Sequence, residues 1–188
     1  MVARGSAAVL SPFTQVTVSA SLIMDTLVVA LAQYLPVLVP VAAAVVWFTL
    51  PTSAKLSLGF QAVVALVVVM GLIQLAAALH TDPRPFVVDP SVAPLFPHPA
   101  DNGFPSDHTA LASTVGLLVM LYRRRTGLVL LVAGIVGGAA RVLAHVHHVQ
   151  DIVAGVVIAG VTVAVAVAVW NAVRPRLRGR LAVLATAG

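Results

Sequence analysis

The sequence predicts an all-α polytopic membrane helix bundle, with about five transmembrane helices and an N-terminal interfacial helix. Three observations carry that prediction. Of 188 residues, 60% are apolar and only 9% are charged, against about 45–50% and about 25% in soluble domains. The mean hydropathy is +1.05. Apolar stretches near the roughly 20 residues that a bilayer crossing needs follow one another with few polar interruptions. This balance excludes a water-soluble globule and equally a disordered chain, which needs little hydrophobicity and much charge. It leaves no room for a separate soluble domain, so residues 1–188 read as one domain with its core at 22–173. Cysteine is absent, which excludes disulfides and thiolate metal sites.

The elements follow in order. The first twenty residues do not read as a secretory signal, because Pro12 and Gln15 interrupt the apolar run that such a signal requires. Residues 16–33 mix Leu, Ile, Val and Met with Thr, Ser, Asp25 and Gln33, a pattern that suits an amphipathic helix lying in the interface. The first span is 34–50, with Pro36 and Pro40 inside it and Trp47 as an interface anchor. The second is 56–79, with Gln74 as its one strongly polar side chain. A proline-rich polar loop, 80–107, comes next, and a loop of that length in so short a chain is more often functional than idle. The third span, 108–122, is closed by Arg123, Arg124 and Arg125. The fourth, 127–143, carries Gly134, Gly137 and Gly138 on a face suited to close helix packing. The fifth is 149–173, followed by Arg174, Arg176, Arg178 and Arg180.

Five crossings place Lys55, the 123–125 run and the tail arginines on one face, which the positive-inside rule makes cytoplasmic. These cations are topology anchors that touch anionic lipid, so the +5 net charge does not call for nucleic acid. All six aspartates and all six histidines fall in the opposite, outward segments or at their helix ends.

Three outward clusters hold the candidate chemistry: 80–86 with His80, Asp82 and Arg84; 104–109 with Ser106, Asp107 and His108; and 141–151 with Arg141, His147 and Asp151. His147 and Asp151 are four apart and share a helix face. An aspartate bound to one ring nitrogen fixes the tautomer and frees the other nitrogen as nucleophile or base. Arg84 and Arg141 offer planar donor forks for phosphate oxygens. Ser106 and Asp107 stand at a helix start, where backbone N–H groups face an anion. His108 is placed to protonate a leaving oxygen. Together these groups are equipment for phosphoryl transfer by positioning and charge stabilisation, with no metal required.

The clusters resemble the signature of the type 2 phosphatidic acid phosphatase (PAP2) superfamily: Lys-x6-Arg-Pro, Pro-Ser-Gly-His and Ser-Arg-x5-His-x3-Asp. The Arg141-x5-His147-x3-Asp151 spacing matches in full. The stretch from Pro83-Arg84-Pro85 through Pro97-His98-Pro99-Ala100-Asp101 to Pro105-Ser106-Asp107-His108 resembles the bacitracin-resistance type of undecaprenyl-diphosphate phosphatase more closely. The layout covers 22–173 and the specific motifs 83–151. The resemblance implies that His147 attacks the terminal phosphorus with Asp151 orienting it. It implies His108 as the general acid, and Arg84, Arg141, Ser106 and Asp107 as the phosphate-binding groups. It also implies a multi-pass protein of the bacterial plasma membrane, with no cofactor and an extracytoplasmic site acting on a polyprenyl diphosphate. Other lipid phosphates remain open: phosphatidylglycerophosphate, phosphatidate or a prenyl-phosphosugar. Three positions depart from the pattern: Ala77 replaces the lysine, Ala140 the serine before the arginine, and Asp107 the glycine.

Plainer readings stand beside these. His147 and Asp151 suit a structural pair, and Arg84 and Arg141 suit snorkelling anchors. His145 and His148 read as loop residues; His80, His98, Asp82, Asp89 and Asp101 read as loop structure or substrate rim. A small transporter or metal-binding membrane protein using His145, His147, His148 and Asp151 is the competing class, although the flanking arginines oppose a cation there.

Overall fold

The computed structural model describes residues 12–186, with side chains for 20–176; Arg4 and the side chains of Arg178 and Arg180 lie outside the described residues. Among the described residues six helices follow one another: α1 (Pro12–Phe48), α2 (Thr52–Leu79), the single turn α3 (Pro85–Val88), α4 (Asp107–Met120), α5 (Arg124–Leu143) and α6 (Val149–Thr186). The chain is an all-α bundle, and four of the described helices are long and apolar enough to cross a membrane.

The interfacial helix and the first span are one element. α1 runs 37 residues, about 55 Å at 1.5 Å per residue. Nothing at 33–34 stops a helix: no glycine stands there, and both prolines lie further in. The Arg141 guanidinium reaches the Ala32 carbonyl, which levels residue 32 with the end of α5. The stretch before it therefore runs past that level, with Leu22, Ile23, Met24 and Leu27 exposed.

α4 is 14 residues long, about 21 Å, shorter than the hydrocarbon layer. It is the centre of the bundle and packs on α5, α6, α1 and α2. Surrounded by helices rather than lipid, it carries Thr109, Ser113 and Thr114 among its buried residues, and a hydroxyl on such a helix can be satisfied by nearby backbone. Thr114, for example, donates to the Ala110 carbonyl at 2.7 Å. Small residues set the spacing. A Cβ on Gly116 would stand 2.5 Å from the Leu131 nitrogen, and one on Gly138 would stand 2.6 Å from Thr109 Oγ1. The glycine face of α5 thus serves packing within the molecule.

The helices alternate in direction, so the connections sort to two ends. At one end Leu50, Leu58, Leu118, Val163 and Ala166 close the core, with Trp47 and Tyr122 against them. Trp47 donates to the Lys55 carbonyl at 3.0 Å, and Tyr122 to Gln61 at 2.7 Å. Lys55, Arg123–Arg125, Arg174 and Arg176 belong to this end. The loop between α2 and α4 and the turn between α5 and α6 share the other end. A cleft of about 410 Å³ opens between α1, α2 and α4 near the basic end, lined by Pro40, Ala43, Trp47, Leu58 and Val115. Its walls are apolar and carry no titratable group.

Candidate active site

Buried charge marks the site. Arg84 is 5% exposed, Arg141 4%, His147 2% and Asp151 0%, and arginine and aspartate are almost never fully buried unless paired.

Arg141 is set by two elements. It lies in the last turn of α5, and its Nη1 donates to the Ala32 carbonyl at 3.2 Å. That carbonyl is available because the residue four positions on is Pro36, which has no N–H to give back to it. The proline in α1 therefore fixes an arginine on α5. Arg141 Nη2 lies 3.1 Å from His98 Nε2, and Arg141 Nε is buried without a partner among the described residues.

The chain then turns sharply. His145 has φ 61°, a left-handed conformation suited to the residue after a helix end, and its ring donates to the Ala93 carbonyl at 3.1 Å. This turn brings His147 back over the bundle. His147 Nδ1 lies 3.1 Å from Asp151 Oδ2, at the first turn of α6, so Nδ1–H donates and Nε2 keeps its lone pair. Asp151 Oδ2 also accepts from the His148 N–H at 2.8 Å. Burial pushes His147 below its ordinary value of 6.5; the Asp151 hydrogen bond opposes this, and the Arg84 and Arg141 charges reinforce it. The imidazole is therefore neutral at pH 7.

Arg84 approaches from the loop after α2. Its Nη1 donates to the Val146 carbonyl at 2.7 Å and stands 3.5 Å from His147 Nε2. Its Nε and Nη2 both reach Asp101 Oδ1 at 2.8 Å. Asn102, absent from the sequence expectations, holds this loop together. Its Oδ1 accepts from the Asp82 and Phe104 N–H groups at 2.9 and 3.0 Å, and its Nδ2 donates to the Ala77 and His80 carbonyls at 3.2 and 3.0 Å. No signal in the sequence distinguishes this asparagine from any other loop residue. At Gly103 a Cβ would stand 3.1 Å from the Asp82 carbonyl and 3.3 Å from Asp151 Oδ2, so any larger residue would push these neighbours back by a few tenths of an ångström.

The start of α4 supplies the third face. Ser106 caps the helix, its Oγ accepting from the Thr109 N–H at 3.4 Å. Its own N–H donates to the Asp151 carbonyl at 3.1 Å, tying α4 to α6. With its hydroxyl and N–H thus engaged, the first-turn N–H of Asp107 is the helix-start donor without an intrahelical acceptor. The Asp107 carboxylate accepts from the His108 N–H at 2.7 Å and holds His108 Nδ1 at 2.6 Å. It also interacts electrostatically with Arg141. His108 is partly exposed, on the open side of the site.

Behind Asp151 lies a supporting cluster. Asp82, His148 and Asp151 present ligand atoms within 4.8 Å of one another. His148 Nδ1 is 3.0 Å from Asp82 Oδ2, and Gln150 donates to the same oxygen at 2.5 Å. Burial alone would raise Asp82, but the Gln150 amide and the His148 charge hold it below the usual carboxylate value. These contacts engage Asp82 Oδ2 and Asp151 Oδ2 with hydrogen-bond donors. His145, turned toward Ala93, stands apart from the cluster.

The residues singled out in the sequence thus lie at one end of the bundle: Arg84, Arg141, His147 and Asp151 in one buried constellation, and Ser106, Asp107 and His108 on the helix start beside it. Such an arrangement offers guanidinium donors and an oriented imidazole lone pair side by side.

The chain is similar to known proteins over most of its length. The PAP2 superfamily matches residues 58–175. The bacitracin transport permease protein BcrC of Bacillus licheniformis is 35% identical over 132 residues, covering 70% of this chain and 64% of that protein. The chain thus spans just under two thirds of that relative's length. The undecaprenyl-diphosphatase BcrC of Bacillus subtilis (strain 168) is 28% identical over 140 residues, 73% of this chain and 70% of that one. The crystal structure of Aquifex aeolicus LpxE shares the fold, with a TM-score of 0.60 at 20% identity over 77% of this chain and 86% of its own.

Proposed function

The chain belongs to the PAP2 superfamily, and on that premise we propose that it is a membrane-embedded lipid phosphatase that hydrolyses a polyprenyl diphosphate to the monophosphate and inorganic phosphate. The observation that carries this reading is the orientation of His147. Asp151 holds Nδ1–H, and Nε2 faces Arg84 inside a site where Arg141 Nε is a buried donor with no partner among the described residues.

In the proposed reaction the terminal phosphate sits between Arg84, Arg141 and the start of α4. His147 Nε2 attacks phosphorus, forming the N–P bond as the bond to the bridging oxygen breaks. His108 gives its proton to that oxygen, and the lipid monophosphate leaves. A water then attacks the phosphohistidine while His108 takes back a proton, the N–P bond breaks, and phosphate departs. Asp151 keeps its hydrogen bond throughout and stabilises the positive charge that builds on the ring. Each guanidinium faces charge that spreads over the equatorial oxygens, the kind of contact worth about 10²–10³-fold in rate when removed. The named activity of the Bacillus subtilis relative, undecaprenyl diphosphate hydrolysis, supports the choice of substrate. The separation of Lys55, Arg123–Arg125, Arg174 and Arg176 from the site end supports an extracytoplasmic active site in a bacterial plasma membrane.

A substrate panel tests the reading. Purified full chain in detergent with EDTA is given prenyl diphosphates, phosphatidate and phosphatidylglycerophosphate. The expected result is phosphate release with kcat/KM at least about tenfold higher for the prenyl diphosphates, a difference of about 1.4 kcal/mol. Preference for either glycerolipid would replace the substrate. Activity only after divalent metal is restored would replace the mechanism.

A further inference from the structure

We propose that His98 is a third phosphate-binding side chain, one whose Nε2 lone pair now faces Arg141 and which gives a hydrogen bond to the phosphate once substrate binds. This rests on the phosphatase reading above and adds a residue for which the sequence offered only loop structure or a substrate rim.

Position comes first. His98 belongs to the proline-rich loop, not to any helix, yet its Nε2 lies 3.1 Å from Arg141 Nη2. Its ring centroid is 6.3 Å from that of His147, with the planes at 75°. Phe96 backs the ring at 6.1 Å, and the Arg141 guanidinium lies 5.9 Å over the same Phe96. His98 therefore stands at the edge of the space that the nucleophile faces.

Its protonation follows from its partners. A guanidinium only donates, so the contact with Arg141 requires a lone pair on Nε2, and the ring's single proton sits on Nδ1 facing the Pro99 carbonyl at 3.4 Å. The charged groups facing the ring are Arg84 and Arg141, with His147 beside them; burial and then these charges push His98 below its ordinary value. An imidazole is a weak partner for an arginine. A phosphate oxygen, which makes a charge-assisted bond, displaces it.

Charge balance then favours a new role. Arg84 already shares its charge with Asp101. The end of α2 brings no cation, because Ala77 has no polar side chain and its carbonyl is bound to Asn102. A diphosphate thus meets two guanidiniums, one of them half-neutralised. Its arrival reverses the field at His98, so Nε2 takes a proton from solvent and donates it as a hydrogen bond to a phosphate oxygen. No covalent bond forms or breaks in this step; one proton is taken up on binding.

The test uses the full chain in detergent, with orthophosphate as a competitive inhibitor of prenyl diphosphate hydrolysis. His98→Ala and His98→Gln should raise the inhibition constant and KM about tenfold, with kcat within about threefold; tenfold corresponds to about 1.4 kcal/mol. His98→Lys should return the inhibition constant to within about threefold of wild type. Because a lysine keeps its proton while His98 loses it, the wild-type constant should weaken relative to that of His98→Lys as pH rises. Unchanged constants in His98→Ala, a loss confined to kcat, or no rescue by lysine would overturn the assignment while leaving the phosphatase reading intact. A wild type that releases no phosphate would overturn both.

Discussion

Asp151 decides which nitrogen of His147 is free. Its Oδ2 holds Nδ1 at 3.1 Å in a site where neither side chain is more than 2% exposed. Burial, the first cause, and the Arg84 and Arg141 charges lower the histidine, while Asp151 supports its charged form. A group with a lowered value is neutral down to lower pH, so the acid limb of kcat/KM should lie below the ordinary histidine value of 6.5. Asp151→Asn removes the one group that favours the imidazolium, so that limb should move further toward acid. The substituted amide also presents an N–H to Nδ1, which favours the wrong tautomer, and kcat should fall by about 10²–10⁴-fold. A pH–rate series on both proteins checks the two effects separately; a limb moving toward neutral pH would contradict the assigned roles. The Arg141-x5-His147-x3-Asp151 spacing was readable in the sequence, but the helix face expected to join the last two was not found: His147 lies in the turn before α6, and Asp151 meets it from the first turn of that helix. Asn102 and His98 were not readable there, because their significance lies in partners tens of residues away.

At the level of elements, α1 shows why the expected division at residues 33–34 is absent. An amphipathic stretch and an apolar stretch with no breaker between them make one helix, whatever the change in polarity. The prolines inside it gain a role once the fold is known. Pro36 frees the Ala32 carbonyl, and Arg141 takes it. Pro36→Ala restores an N–H that competes for that carbonyl. A proline in a helix interior costs about 3 kcal/mol, so the variant should melt a few degrees higher in detergent. Its phosphate release should nevertheless fall about tenfold, since small displacements of a binding group are costly. Thermal unfolding and initial rates on the same preparation test this, and a stabilised variant with full activity would contradict the link between α1 and Arg141. The glycine face of α5 was foreseen from its spacing, whereas the central burial of the short α4 was not, because hydropathy does not distinguish a lipid-facing helix from one enclosed by four others.

The whole molecule divides its charges by end. Lys55, Arg123–Arg125, Arg174 and Arg176 mark one end, and the aspartates and histidines of the site collect at the other. That division was legible from the sequence alone, since it depends only on counting crossings. The chain has no cysteine, so single cysteines report topology cleanly. Ala100→Cys should react with a membrane-impermeant maleimide from outside intact cells, and Arg124→Cys only after permeabilisation; the reverse pattern would invert the orientation.

The central claim is that His147 carries the phosphoryl group without a metal. Rapid quenching of the EDTA-treated enzyme with a substrate labelled at its terminal phosphate should trap an acid-labile, base-stable phosphoenzyme. Mass spectrometry should place that phosphate on His147, and His147→Ala should show neither the adduct nor turnover above about 10⁻⁴ of wild type. Normal turnover by His147→Ala, or a trapped phosphate on any other residue, would contradict the account.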